Sequence, residues 1–271
     1  MKILLANDDG IFAPGIIAMA RSLARLGTVY VVAPATEQSG VGHSITYLTP
    51  LTCKKIFDEQ DKFRGWAVDG SPADSVKLGI LELVPKPIDL IVSGINSGLN
   101  AGINVLYSGT VAAAIEGAFF GIPSVAVSLE HDIHADFRTA AEIATGIIEQ
   151  LISKKTSESS SVSELFNVNI PTAATRLVKS GGHPQVHVVP LGVRRYGDHY
   201  EKRQDPKGRD YYWSFSEPME PSLDETDMNA LAAGHVTITP LLFDLTKRNR
   251  LESLKELFPT SNTHGLTPVD V

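Results

Sequence analysis

Cysteine is nearly absent from this chain: its 271 residues hold a single one, Cys53. One thiol cannot close an internal disulfide, which excludes a disulfide-stapled secreted fold and fits a reducing compartment. Thr52, Lys54 and Lys55 around it form no recognisable nucleophile elbow, so Cys53 reads as structural. Long apolar runs are missing too. The start, MKILLANDDG, has only a short apolar stretch before two acids, where a signal peptide needs a longer apolar core and a small-residue cleavage site. No stretch approaches the roughly 20 apolar residues of a membrane span. The expectation is a cytoplasmic protein with no membrane partner. Positive charge is also scarce: 24 Lys and Arg stand against 31 Asp and Glu, for a net charge of -7. A general nucleic-acid binder carries a basic face, so no nucleic-acid polymer is expected as partner. A small nucleotide stays open, because a metal or a helix end supplies local positive potential.

What is present is a large apolar fraction, 43%, in an alternating pattern. Ile3–Ala6 is a short buried-strand run, and Pro14 opens a helical pattern with Ile16, Ala20, Leu23 and Ala24 on one face and Gly27 closing it. Val29–Ala33 is a β-branched strand stopped by Pro34. Ser71-Pro72-Ala73-Asp74 reads as an N-cap, a first-turn proline and a first-turn acid. Strand-like Ile88–Val92 precedes a glycine-rich loop, Val111–Phe120 is a small-residue helix, Val125–Val127 a strand and Phe137–Leu151 an amphipathic helix. This alternation predicts an α/β fold: a Rossmann-like, doubly wound, mainly parallel sheet. Residues 1–153 form the expected metal- and phosphate-binding core, the serine-rich 154–163 a surface loop, and 164–271 the completion of the core plus a smaller C-terminal part. In that part, Arg194–Tyr212 reads as a protruding hairpin turning at Asp205-Pro206-Lys207-Gly208, Val236–Pro240 as a late strand, and Leu251, Leu254 and Leu257 as a closing helix. No internal repeat is present.

Three loops following expected parallel strands carry hard oxygen donors: Asp8-Asp9-Gly10, Gln38-Ser39-Gly40, and Ser93 to Gly98 with Asn96. Ligands of open α/β sheets bind outside the carboxyl ends of the strands, where such loops converge. Adjacent carboxylates after a buried strand are costly unless a cation joins them. Asp8, Asp9, Ser39 and Asn96 offer the oxygens that Mg²⁺ or Mn²⁺ prefers, while no histidine or cysteine cluster suits zinc. Asp and Gly also make ordinary turns, but that reading loses ground beside Asn96 and the helix start at Ser108. Ser108-Gly109-Thr110 has the form of a phosphate cup at a helix N-terminus, compatible with simple capping by Ser108. No Walker A ending and no Gly-x-Gly-x-x-Gly after the first strand accompany it. His43 is either a general acid or base near the metal or a surface residue of a glycine-rich loop. The hairpin tyrosines, Tyr196, Tyr200, Tyr211 and Tyr212, suit either an oligomer interface or a β-arm packed within the chain.

Together these motifs resemble the SurE family, stationary-phase survival proteins with 5′-nucleotidase activity. The resemblance rests on NDDG at 7–10, SGVGHSIT at 39–46, DGSPADSV at 69–76, SGINSGLNAG at 93–102 and YSGTVAAA at 107–114. It continues with NVNIP at 167–171, DPKGRDYYW at 205–213 and TDMNALAAGHVTITPL at 226–241, so it runs in order along nearly the whole chain. It implies a Rossmann-like core, a hairpin used in homodimers or homotetramers, and one divalent cation per subunit held by Asp8, Asp9, Ser39 and Asn96. Phosphate contacts carry over to Asn96, Ser108, Gly109 and Thr110, with Gly40 less certain. The implied substrates are nucleoside monophosphates, with 3′-nucleotides and short polyphosphate in some relatives. Ser75 stands where many relatives have cysteine and Ala113 where glycine is usual; neither touches the expected site.

The expected activity is metal-dependent phosphate-monoester hydrolysis with Asp8, Asp9 and Asn96 as catalytic residues. Water attacks directly or Asp8 first forms a phospho-aspartate; adjacent acids, rather than Asp-x-Asp, disfavour the second route. The alternative function is a non-catalytic nucleotide or metal sensor using the same pocket.

Overall fold

A computed structural model describes residues 1–153, 164–193, 197–217 and 225–258. The serine-rich segment 154–163 and Tyr196 lie outside the described residues. The chain divides into two compact units, 1–241 and 242–271.

The first unit is a nine-stranded sheet flanked by helices. In chain order it comprises β1 (Lys2–Ala6), α1 (Pro14–Leu23), β2 (Thr28–Pro34), β3 (Cys53–Phe57), β4 (Phe63–Val68), α2 (Pro72–Leu78) and β5 (Leu90–Ser97). Then follow α3 (Gly109–Phe119), β6 (Ser124–Leu129), α4 (Phe137–Ser153), β7 (Leu165–Ile170), α5 (Thr172–Lys179) and β8 (Val186–Val188). The hairpin β9 (Gly197–Gln204) and β10 (Asp210–Glu217), α6 (Asp227–Ala232) and β11 (Val236–Pro240) complete the unit. The second unit contains a 3₁₀ turn at Arg248–Arg250 and α7 (Leu251–Leu257).

Sheet order is β3-β4-β2-β1-β5-β6-β7-β11-β8. Pairings from β4 through β2, β1, β5 and β6 to β7 are parallel, whereas β3 with β4 and β7 with β11 are antiparallel. The chain builds outward from β1 to β2 and β4, then returns to lay β5 on the other side of β1. That reversal places the topological switch point between β1 and β5. On one face α1 and α4 pack over Ile3, Leu5, Val92, Val125 and Val127. The other face packs α2 and α3 over Leu4, Ala6, Val32 and Ile91. The central strands are covered on both faces, which is why they read as continuous apolar runs rather than alternating ones.

β5 runs further than the sequence suggests. Its glycine-rich end stays in the sheet: the register with β6 shifts between Ser93 and Asn96, and Asn96 and Ser97 then pair with Ser128 and Leu129. Gly94, at φ +135, sits inside that irregularity, and a Cβ there would lie 2.2 Å from the carbonyl oxygen of Val127. Only glycine lets the two strands approach this closely.

Two buried polar knots tie the later chain to this core. Asn100 donates its backbone N–H to Asn169 (2.8 Å) and its amide to Ser128 Oγ (2.9 Å), while the amides of Asn167 and Asn169 donate to its carbonyl. Asp227, fully buried, accepts the backbone N–H groups of Gly102, Gly192 and Met228 at 2.7–2.8 Å. The hairpin forms its own two-stranded sheet, with eight antiparallel pairs from Asp210↔Gln204 to Glu217↔Gly197. Its Tyr200, Tyr211, Tyr212 and Trp213 are exposed. Among the described residues, no helix is long and apolar enough to cross a membrane.

Candidate active site

The switch point gathers four pieces of chain. Asp8 and Asp9 follow β1, the loop Glu37–Gly40 follows β2, Asn96 is the penultimate residue of β5, and Ser108–Thr110 opens α3. Backbone and side-chain bonds join them. Gln38 donates its N–H to the Asp8 carbonyl at 2.8 Å, and Ser97 donates its N–H to Asp9 Oδ2 at 3.1 Å. Thr110 donates twice to Asp8, from its N–H to Oδ2 (3.1 Å) and from its hydroxyl to Oδ1 (2.5 Å). Asn7, fully buried behind the pair, braces the turn by donating to the Gly10 carbonyl at 2.9 Å.

Gly109 makes the close approach of α3 to Asp8 possible. A Cβ at that position would stand 2.9 Å from Asp8 Cβ, 3.0 Å from Pro72 Cγ and 3.2 Å from Asp8 Oδ2. Ser108 caps the helix, accepting from the Val111 N–H at 3.1 Å. Both donors of Thr110 serve Asp8, so Thr110 orients the carboxylate. Gly109, the first residue of the helix, keeps an N–H with no acceptor inside the helix.

Electrostatically the site calls for a cation. Burial holds the Asp8 carboxyl above the ordinary carboxylate range, against the lowering effect of the Thr110 hydroxyl. Asp9 is pushed up to about 6, by burial first and by the Asp8 charge second. Glu37 adds a third negative charge that acts on both. Sequence reading passed over Glu37, although it stands two residues before Ser39 in the same loop. Ser39 Oγ donates to Glu37 Oε1 at 2.6 Å. Asn96 turns its amide nitrogen to the Gly98 carbonyl at 2.7 Å, leaving its oxygen as the acceptor end. Gly40, at φ +71, has open space where a side chain would stand.

Among the described residues, no three or more His, Cys, Asp or Glu side chains are grouped to hold a metal. The donor set here is instead two carboxylates with neutral oxygens. It fits a hard divalent cation, since two adjacent carboxylates, one buried and one half-buried, with raised pKa are relieved by two positive charges.

His43 is not at the carboxylates. Its Nε2 lies 2.8 Å from Oε2 of Glu116, which is only 4% exposed, and its ring stacks on Phe119 at 5.3 Å. Glu116 is seven residues beyond Gly109, about 10 Å along the helix axis at 1.5 Å per residue. A cavity of about 290 Å³ lies between α1 and the β3–β4 hairpin, one of about 420 Å³ lies beside the hairpin turn and shares Asp58 and Arg64 with it, and one of about 280 Å³ lies against α2. None of these three is lined by Asp8, Asp9, Ser39, Asn96 or Gly109.

The chain is similar to known proteins in both sequence and fold. A family model described as Survival protein SurE matches residues 3–198. The 5′-nucleotidase SurE of Rhodopirellula baltica is 56% identical over 258 residues, 94% of this chain and 98% of that protein. That of Pelotomaculum thermopropionicum is 44% identical, over 96% of each chain. A crystal structure of the SurE protein from Aquifex aeolicus superposes with a TM-score of 0.80 at 38% identity, covering 95% of this chain and 100% of that one.

Proposed function

The chain belongs to the SurE family, and from that premise we propose that it is a 5′-nucleotidase that hydrolyses nucleoside 5′-monophosphates to nucleoside and phosphate. The observation that carries the reading is the adjacent pair at the switch point, Asp8 buried under the N-terminus of α3 and Asp9 half-buried beside it, both with pKa raised above the ordinary carboxylate range.

We assign Asp8, Asp9, Ser39 and Asn96 to one divalent cation per subunit, Mg²⁺ or Mn²⁺. A cation bound there supplies Lewis acidity to a phosphate oxygen and lowers the pKa of a water molecule. The protein's own part is placement. The Gly109 N–H and the positive end of α3 face the negative phosphate, with the N-cap Ser108, Asn96 and Gly40 beside it. Thr110 fixes both oxygens of Asp8 from the helix side. With Asp8 held between Thr110 and the assigned cation, and the acids adjacent rather than spaced Asp-x-Asp, the reading takes direct attack by water over a phospho-aspartate. The positive potential of the helix end is fixed before charge builds up in the transition state, so little reorganisation accompanies the reaction.

The same reading takes in 3′-nucleotides and short polyphosphate as further substrates. It assigns the exposed aromatic hairpin to a homodimer or homotetramer contact and places the protein in the cytoplasm. The test is phosphate release from nucleoside 5′- and 3′-monophosphates with EDTA, Mg²⁺ or Mn²⁺, for the natural chain and Asp8→Asn. Metal-dependent release that disappears in the variant is the expected result. Nucleotide binding without release, by folded protein and with every metal, would establish a sensor instead. Trapping a phosphorylated Asp8 would overturn direct attack.

A further inference from the structure

The loop Glu37–Tyr47 carries Ser39, and it is fastened to the helices beneath it at several points. The Gly42 N–H donates to the Tyr107 carbonyl at 3.0 Å. Ser71 Oγ donates to the Ser44 carbonyl at 2.6 Å, and the Thr46 N–H donates to Asp74 Oδ1 at 2.9 Å. Ser71 and Asp74 are the capping box of α2, so the loop is attached to a helix start that is itself closed. The strongest fastening is His43. It combines a 2.8 Å contact to the Glu116 carboxylate with a ring stack on Phe119, both on α3. Glu116 is nearly buried, and the only cation recorded beside it among the described residues is Lys77, at 3.9 Å. A buried carboxylate needs hydrogen-bond donors, and His43 meets that need from the loop side.

We propose that His43 is a positioning residue for the active site: through Glu116 and Phe119 it locks the Ser39 loop to α3, so that Ser39 and the Gly109 end of the helix keep one fixed spacing. The inference rests on the assignment of Ser39 to the cation. His43 acts at a distance of about two helical turns from the phosphate end and touches neither substrate nor cation. Only three residues, Gly40, Val41 and Gly42, separate it from Ser39 in sequence, so freedom gained at position 43 reaches Ser39 through a short tether. An active-site donor loosened by a fraction of an ångström loses affinity without losing the fold.

The experiment is Mn²⁺ titration calorimetry on the metal-free full chain, with melting curves and kcat and KM measured in parallel. His43→Ala and Glu116→Ala are each expected to weaken Mn²⁺ binding by about tenfold, the lower end for loss of a group supporting a ligand. The double variant is expected to be no weaker than either single one, because the two side chains form one contact. His43→Gln, whose amide nitrogen reaches the position of Nε2, restores natural Mn²⁺ affinity. If His43→Ala does not fold, His43→Asn replaces it, since its amide is too short to reach Glu116. Lower melting temperatures with unchanged Mn²⁺ affinity and kcat per folded molecule would reduce the contact to a structural one and overturn the proposal. So would His43→Gln failing as completely as His43→Ala, which would call for the imidazole itself. A natural chain that binds Mn²⁺ but releases no phosphate refutes the nucleotidase reading and leaves the calorimetry to decide on His43. One that binds no Mn²⁺ refutes both.

Discussion

Gly109→Ala sets two physical effects against each other at one atom. Its backbone does not require glycine, for its φ lies outside the positive range. On helix propensity alone alanine gains, by up to about 1 kcal/mol. Space argues the opposite. The new Cβ would stand 2.9 Å from Asp8 Cβ and 3.0 Å from Pro72 Cγ, and neither atom is the free end of a flexible side chain. Overpacking of this kind costs about 1–3 kcal/mol, so a net loss of roughly 1–2 kcal/mol is expected. At roughly 2–4 °C per kcal/mol for a domain of this size, the metal-free protein should melt several degrees lower. Activity should suffer more than stability. The displaced atom belongs to Asp8, and a misplacement near 1 Å costs roughly a hundredfold in rate, so a few tenths of an ångström point to a fall of about tenfold in kcat. The assay is calorimetric melting beside phosphate release at saturating metal. A variant that melts higher than the natural chain with kcat intact would refute the argument, because propensity would then have won and the close contact would carry no consequence.

Thr110→Val keeps the shape of a fully buried side chain while removing the hydroxyl that lowers the Asp8 pKa. A hydrogen bond to a charged group contributes about 1.5–3 kcal/mol, so Mn²⁺ affinity by calorimetry should fall by roughly ten- to a hundredfold. Asp9 yields a pH prediction of definite sign. Its folded pKa of about 6 exceeds the ordinary value of 3.8, so the stability linked to its protonation is fully present below about pH 4 and lost as pH rises through 6. Metal binding opposes that loss. The melting shift on adding Mg²⁺ should therefore grow from pH 5 to pH 7, and Asp9→Asn should flatten the growth while stabilising the metal-free protein at pH 7. An equal Mg²⁺ shift at both pH values would contradict the assignment. Asp227→Ala strands three backbone donors, which cost about 1–3 kcal/mol each, and the urea midpoint should drop by the equivalent of at least about 3 kcal/mol, with Asp227→Asn falling less.

Much of the molecule was readable in the sequence because its signals are local. Apolar runs marked β1, β2 and β6, Pro14 marked the start of α1, and Ser71 and Asp74 marked the N-cap and first-turn acid that the structure joins as a reciprocal capping box. The family resemblance was legible in order along the chain, and the comparisons show that family. What escaped depends on distant partners. β3 and β4 carry Lys54, Lys55 and Arg64 among their apolar residues and alternate weakly, so only their pairing with each other and with β2 makes them strands. β5 was expected to end near Val92, yet β6 extends it past a bulge that no propensity announces. Within the site, Asp8, Asp9, Asn96 and the start of α3 could be named from loop positions. Glu37 could not, because its influence on the carboxylates is a matter of distance. His43 was the reverse case: its residue type invited a chemical role, and its partner lies 73 positions away on the helix.

The position of β1 in the sheet also bears on how the chain is made. The first strand of this fold in chain order, it lies between β2 and β5, and its second neighbour begins only at Leu90. Throughout the synthesis of the intervening segment, β1 and β2 carry the two carboxylates beside an open strand edge, the kind of surface that recruits other chains. That edge closes when Leu90–Ser93 pair with Ile3–Ala6, and the donors of Thr110 arrive some twenty residues later. A nascent chain stalled before that point therefore presents an unpaired acidic loop with no helix end above it.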